Sequence, residues 1–208
     1  MIFGNLLAVR RPNRTMVLML MAGFVMTITL YGLPVEAEDW QLAQLMQLLA
    51  HHTTGQATFV EKKYLALLDQ PVVSSGTLTF AAPDQLVKIT LQPRFERMLL
   101  AGDQLSIEQA GMHTVRISLQ QHPEITAFIE SIRSTLMGDR ATLELYYVPE
   151  LSGSQNQWQL VLTPRQTRML KVINRIRIEG RQSQVDAIGF DQPDGDHDEM
   201  AITPTDGS

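Results

Sequence analysis

The stretch Ser74-Ser75-Gly76-Thr77-Leu78-Thr79-Phe80-Ala81-Ala82-Pro83-Asp84-Gln85-Leu86-Val87-Lys88-Ile89-Thr90-Leu91-Gln92-Pro93, continued by Met98-Leu99-Leu100-Ala101-Gly102-Asp103-Gln104-Leu105-Ser106-Ile107, decides the fold. Leu78 and Phe80 alternate with Thr77 and Thr79, and Ala82-Pro83-Asp84-Gln85 places proline where a tight turn wants a preset φ. Val87, Ile89 and Leu91 then share one face, with Lys88 and Thr90 on the other. Met98 and Leu100 carry the pattern to a glycine-containing turn at Ala101-Gly102-Asp103-Gln104, which hands it to Leu105 and Ile107. A period of two with one apolar face marks an antiparallel strand, so the segment reads as four consecutive strands.

The same reading extends outward in both directions. Upstream, Asp39 can cap a helix in which Leu42, Leu45, Met46 and Leu49 recur at helical spacing; the helix ends near His51-His52-Thr53-Thr54-Gly55. From Ala57 the period is two, and Phe59 to Tyr64 reads as a strand. Downstream, the turn Ala110-Gly111 leads to Val115, Ile117 and Leu119. The helical period then returns, with Pro123 at the first position, a stripe of Ile125, Phe128, Ile129, Ile132 and Leu136, and Gly138 at the stop. Asp139 to Leu143 extends it as a short turn. Further strands are predicted at Leu143–Tyr147, Trp158–Leu162, Val172–Ile178, Val185–Phe190 and Glu199–Ile202. The sum is a mainly β chain of about eleven strands with two or three α-helices.

The first residues carry Arg10, Arg11 and Arg14, an uncharged run from Thr15 to Val35, and Val35-Glu36-Ala37 at the position a signal peptidase reads. Residues 1–37 are therefore expected to be a cleavable signal peptide. The alternative is a retained anchor, since the run approaches the ~20 residues that span a bilayer. A twin-arginine signal is disfavoured by Pro12-Asn13 after the arginine pair. Residues 38–203 are expected to form one domain, followed by a frayed tail at 204–208. The chain has no cysteine, which removes disulfides, thiol catalysis and a lipid-modified cysteine together. Its net charge of −5, falling to −7 without residues 1–37, argues against a nucleic-acid partner.

Short strands that are apolar on one face only must curl into a barrel or stack as a sandwich. Either arrangement gives one apolar surface, which is a filled core or a cavity covered by helices. Its candidate lining is Phe59, Leu78, Phe80, Val87, Ile89, Leu91, Met98, Leu100, Leu105, Ile107 and Trp158, with Phe128, Ile129 and Ile132 from the cover. These mostly aliphatic walls suit a flexible acyl chain.

Several of these segments also carry a family resemblance. Ser74-Ser75-Gly76-Thr77-Leu78 with Phe80, the Pro83-Asp84 turn, the strand ending in Gln92-Pro93, and Leu99-Leu100-Ala101-Gly102-Asp103 are similar to the outer-membrane lipoprotein carrier (LolA) family. So are Trp158-Gln159-Leu160-Val161-Leu162-Thr163-Pro164 and Asp194-Gly195-Asp196, which fall where that family has its late strands. The likeness spans about Leu42 to Thr203 and is nearest to a shorter LolA-related branch, through Tyr64-Leu65-Ala66-Leu67-Leu68, Ser131-Ile132-Arg133 and Gly138-Asp139-Arg140. The resemblance implies an unclosed antiparallel half-barrel with a helical lid. It implies a non-enzymatic, monomeric periplasmic carrier, shielding an acylated lipoprotein or lipid between an inner-membrane donor and an outer-membrane acceptor. It also implies an arginine before the turn proline that ties the lid shut, a position held here by Ala82.

Signals for chemistry are weak. His51-His52 with Glu61 lacks a metal-site spacing, and Asp194, Asp196 and Asp198 lack the glycine and the final glutamate of a calcium loop. No serine stands in a Gly-x-Ser-x-Gly frame. No catalytic residue, metal or cofactor is therefore expected. Arg165, Arg168, Lys171, Arg175 and Arg177 form the densest basic cluster, either a solvated face or a docking patch for an anionic headgroup or membrane partner. The rivals to a carrier are a lipid-binding sensor module of the same architecture and a secreted hydrolase.

Overall fold

The computed structural model describes residues 40–205, so the expected signal peptide and its cleavage site lie outside the described residues. Helix α1 spans Leu42–Leu49, and strands β1 (Thr54–Tyr64), β2 (Val72–Ala81), β3 (Gln85–Gln92), β4 (Glu96–Ala101), β5 (Gln104–Gln109) and β6 (Val115–Ser118) follow. A short 3-10 turn at Leu119–Gln121 leads into α2 (Pro123–Met137) and α3 (Arg140–Tyr146). The chain ends with β7 (Tyr147–Ser154), β8 (Gln157–Pro164), β9 (Arg175–Arg181), β10 (Gln184–Asp191) and β11 (His197–Pro204).

All eleven strands join in one antiparallel sheet of order β6-β5-β4-β3-β2-β1-β11-β10-β9-β8-β7. Every neighbour but one follows its predecessor in sequence, as hairpins require. The exception is β1, the middle strand, which pairs β2 on one side and β11 on the other. Strands β6 and β7 stand at the two edges, so the sheet is unclosed, as expected for a mainly β half-barrel. No helix among the described residues is long and apolar enough to cross a membrane.

Two sequence expectations need correction. Alternation predicts a strand over Leu143–Tyr147, but residues Arg140–Tyr146 are helical and β7 starts at Tyr147. The reason is a helix start that outweighs local alternation: the Asp139 carboxylate accepts the Thr142 N–H at 3.0 Å. The Thr142 hydroxyl, followed by this N–H, holds the Asp139 pKa below its ordinary value. Leu143 is fully buried while Leu145 is exposed, which a shared strand face would not allow. The cap of α1 is Gln41, whose N–H is received by the Gln44 side chain at 2.8 Å, rather than Asp39, which lies outside the described residues.

Residues paired across antiparallel strands project from the same face, so the register identifies which side the helices cover. On one half, Phe80, Leu86, Leu100, Leu105 and Ile117 form one continuous cross-strand row. On the other, Leu151, Leu160, Ile178, Ile188 and Met200 do the same. Leu45, Met46 and Leu49 of α1, Ala127 of α2 and Leu143 of α3 pack onto the second half, around Tyr147, Trp158, Leu160, Leu162, Ile176 and Ile178.

Gly138 sets the corner between α2 and α3. Its φ of 65° is the left-handed conformation that ends a helix, and its N–H bonds the Thr135 carbonyl while Asp139 N–H bonds that of Ser134. A Cβ there would lie 2.0 Å from the Met46 carbonyl oxygen of α1. Gly138→Ala is therefore expected to destabilise the protein by more than the ~1–2 kcal/mol of left-handed strain alone. Urea unfolding followed by circular dichroism should show the midpoint falling; an unchanged midpoint would mean that the two helices are not held at this corner.

Candidate functional site

Of the eleven residues expected to line the apolar surface, Phe59, Leu78, Phe80, Met98, Leu100, Leu105 and Ile107 do project from the helix-covered face of β1 to β5. Val87, Ile89 and Leu91 do not. The turn at Ala82–Asp84 pairs Ala81 with Gln85, which puts Leu86 opposite Phe80 and turns Val87 and Ile89 outward, opposite Thr79 and Thr77. Leu91 is the extra residue of a bulge and is 54 % exposed. In Leu86-Val87-Lys88-Ile89 nearly every position is apolar, so alternation alone could not choose the face. The turn length chose it, and it placed Lys88 inside, paired between Leu78 and Met98.

The covered face divides into two unlike halves. Under α1 and α3 the packing is closed: Trp158 is 1 % exposed, its Nε1–H donates to the Gln182 carbonyl at 2.9 Å, and its ring lies against Gly180. Trp158 thus sits in filled core rather than beside open space. Tyr147 is equally buried; its hydroxyl donates to the Ala127 carbonyl at 3.2 Å, and burial pushes its pKa up to about 12. Under α2 the buried cluster is smaller, Leu100, Leu105, Leu119 and Ile129, with Leu86, Met98, Ile107, Ile117, Ile125 and Phe128 partly exposed around it; the larger core has its own partly exposed fringe, which includes Leu151, Val185, Ile188 and Phe190. Phe128 touches both halves, its ring 5.0 Å from that of Phe190, and Ile132 is half-buried on the same helix.

One residue absent from the sequence-based candidates ties α2 to this second half. Arg133 donates to the Gly102 carbonyl at 2.8 Å and to that of Asp84 at 3.5 Å, and pairs with Glu130 at 2.7 Å. Gly102 and Asp84 belong to the β4–β5 and β2–β3 turns. The resemblance places a lid tie in the residue before Pro83, where Ala82 stands; here an arginine reaches the same hairpin from the helix side. Its segment Ser131-Ile132-Arg133 enters the family resemblance, but no local pattern shows what it binds, because its partners are main-chain oxygens 31 and 49 residues away.

The five basic candidates do not form one patch. Arg165 donates to the Glu144 and Tyr147 carbonyls at 2.7 and 2.9 Å, stapling α3 to β8. Arg168 and Lys171 are exposed in the β8–β9 connection. Arg175 and Arg177 project from the uncovered face, where both pair with Asp191. They border an open groove of about 550 Å³ with Gln192, His197 and Glu199. Elsewhere, His52 contacts the Ser183 hydroxyl at 2.6 Å, while the Asp194 and Asp196 carboxylates accept the N–H groups of Asp196 and Ala66. Among the described residues no three His, Asp or Glu side chains stand together as a metal site.

The covered face also carries charge. Lys88 pairs with Glu61 at 2.7 Å, Ser74 donates to the same Glu61 oxygen at 3.0 Å, and Lys63 lies 3.6 Å from Asp198. Burial raises the Asp198 pKa against the attraction of Lys63, with Glu61 adding to the rise. A carboxyl whose folded value exceeds its unfolded one binds a proton on folding, so stability falls as pH rises from the ordinary carboxylate range through the raised value. Asp198→Asn is expected to melt higher than wild type at pH 7, with the gap closing towards pH 4. Thermal scans across that range check it; a gap independent of pH would remove the titration as its cause.

With an unclosed antiparallel sheet, helices over one face and partly exposed apolar side chains beneath them, the molecule has the build of a LolA-type fold. Residues 34–203 match the profile of the family described as outer membrane lipoprotein carrier protein LolA-like, and the chain belongs to that family. No curated protein sequence matches this chain. Among solved structures it is similar to a LolA superfamily protein of Nitrosomonas europaea, at 10 % identity over 80 % of this chain and 93 % of that one, with a TM-score of 0.44. It is similar to a DUF1329 family protein of Desulfovibrio piger at 12 % identity, covering 80 % and 92 %, with a TM-score of 0.45. It also resembles a chain of the Pseudomonas aeruginosa MucA/MucB complex at 13 % identity, covering 78 % of this chain but 55 % of that one, with a TM-score of 0.45.

Proposed function

We propose that the protein is a periplasmic, non-enzymatic carrier that shields the acyl chains of a lipoprotein or lipid during transfer between inner and outer membrane. The observation that carries this reading is the ring of partly exposed Leu86, Met98, Ile107, Ile117, Ile125 and Phe128 under α2. Apolar side chains that remain half open beside a finished core are what an acyl chain needs. Each methylene moved from water is worth about 0.8 kcal/mol, so a chain seated there is held strongly without any covalent step. Membership of the family agrees with this reading.

Cargo entry requires α2 to move off the β3–β6 half. The tie from Arg133 to the Gly102 and Asp84 carbonyls resists that movement, and charge-assisted hydrogen bonds of this kind contribute about 1.5–3 kcal/mol. The tie is therefore strong enough to keep an empty carrier covered and weak enough for cargo to break.

Lipid extracted from the purified protein and identified by mass spectrometry tests the proposal. Wild type should yield acylated lipid, and Met98→Glu and Ile107→Glu should yield little, because each places a charge on the covered face. Val87→Glu, on the opposite face, should yield as much as wild type. No lipid in wild type, or equal loss in all three folded variants, would defeat the carrier reading. For the tie, Arg133→Met should exchange a bound fluorescent fatty acid about tenfold faster than wild type, the factor that ~1.4 kcal/mol supplies. An unchanged rate would assign Arg133 to stability alone.

A further inference from the structure

We propose that Lys88, supported by Lys63, is a headgroup subsite within the covered face. It holds the acidic head, a carboxylate or phosphate, of an amphiphile whose chain lies along Leu78, Met98 and Ile107. The inference rests on the acyl-chain reading above and adds to it the chemical class of the ligand's polar end.

Register places Lys88 among the very residues that the chain would touch: Leu78, Lys88, Met98 and Ile107 are consecutive cross-strand partners in one row. An ammonium there has no structural necessity, because a buried ion pair is often less stabilising than apolar residues of the same volume. Its contacts are those that suit a cation. Glu61 accepts one of its three donors at 2.7 Å, and its Nζ stands 4.9 Å from the centre of the Phe59 ring.

The order of exposure points to the sign of the ligand. The side chains of Lys88 and Lys63 are 23 % and 46 % exposed, those of Glu61 and Asp198 16 % and 11 %. An incoming molecule thus meets ammonium groups backed by carboxylates. A second observation concerns the carboxylates. Asp198 is 8 % exposed, and its buried Oδ1 makes no short hydrogen bond, the Lys63 ammonium pairing with it only at 3.6 Å. A hydroxyl on the bound head would complete the hydrogen bonding of this oxygen. The polar cluster is not saturated by the protein itself.

Titration calorimetry with three amphiphiles of the same C18 chain, each below its critical micelle concentration, tests the subsite. The purified protein should bind oleate and 1-oleoyl lysophosphatidate at least tenfold more tightly than neutral monoolein. The tighter of the two acids identifies carboxylate or phosphate as the preferred head. Lys88→Met should reduce the preference to below twofold while monoolein binding persists, and Lys88→Arg should retain it. Lys88→Met leaves Glu61 without its cation, so the double variant Glu61→Gln/Lys88→Met, which removes both charges, decides the result if the single variant fails to fold. Equal binding of acidic and neutral amphiphiles by wild type, or a preference that survives in the double variant, overturns the subsite alone. Failure of all three amphiphiles to bind overturns the acyl-chain reading, and the subsite falls with it.

Discussion

Strands β6 and β7 are consecutive in the chain yet lie at opposite edges of one eleven-stranded sheet, so the segment between them must cross the sheet's whole width. It makes that crossing as α2 and α3, over the face where the apolar side chains project. The rest of the structure depends on this constraint. A connection forced across the sheet buries one face, leaves the sheet unclosed, and places a single helix over two halves that are packed to different degrees. Phe128 takes part in both halves, and Arg133 fastens the helix to the turns of the more open one.

The division of labour follows from which helices cover which strands. Helices α1 and α3 add Leu45, Met46, Leu49 and Leu143 to the β7–β10 half and complete its buried core. The β3–β6 half receives only residues of α2 and of the turn before it, so its strands keep apolar surface half in contact with water. With twelve buried residues against four, the first half holds the larger core. The second half keeps partly exposed apolar side chains beneath α2, and the proposed carrier role rests on them.

Much of the architecture is legible locally. Alternation sets the number of strands, Pro123 and Gly138 bound α2, and the absence of cysteine together with an acidic balance narrows the class of protein. Two local readings fail for a shared reason, that alternation is weaker than a fixed neighbour. Leu143–Tyr147 alternates like a strand, yet the Asp139 cap makes it helical. Val87 and Ile89 have the pattern of the inward pair of β3, yet the three-residue turn before them brings Lys88 inside to meet Glu61. Trp158 is a reasonable wall candidate by type and strand position, but the helices that seal it approach from distant parts of the sequence.

The sequence by itself determined a one-faced antiparallel chain with two stretches of helical period, because side-chain periodicity is a local consequence of backbone geometry. It determined the family resemblance as well, through the order of short segments between Leu42 and Thr203. Only the tertiary structure decided which half of the covered face holds the larger core, that Arg133 joins α2 to the β2–β3 and β4–β5 turns, and that Lys88, Glu61, Lys63 and Asp198 share one cluster on the covered face. Each of these depends on residues from strands or turns far apart in the chain. Their meeting is set by hairpin register and by the crossing of α2, neither of which any window of the sequence contains.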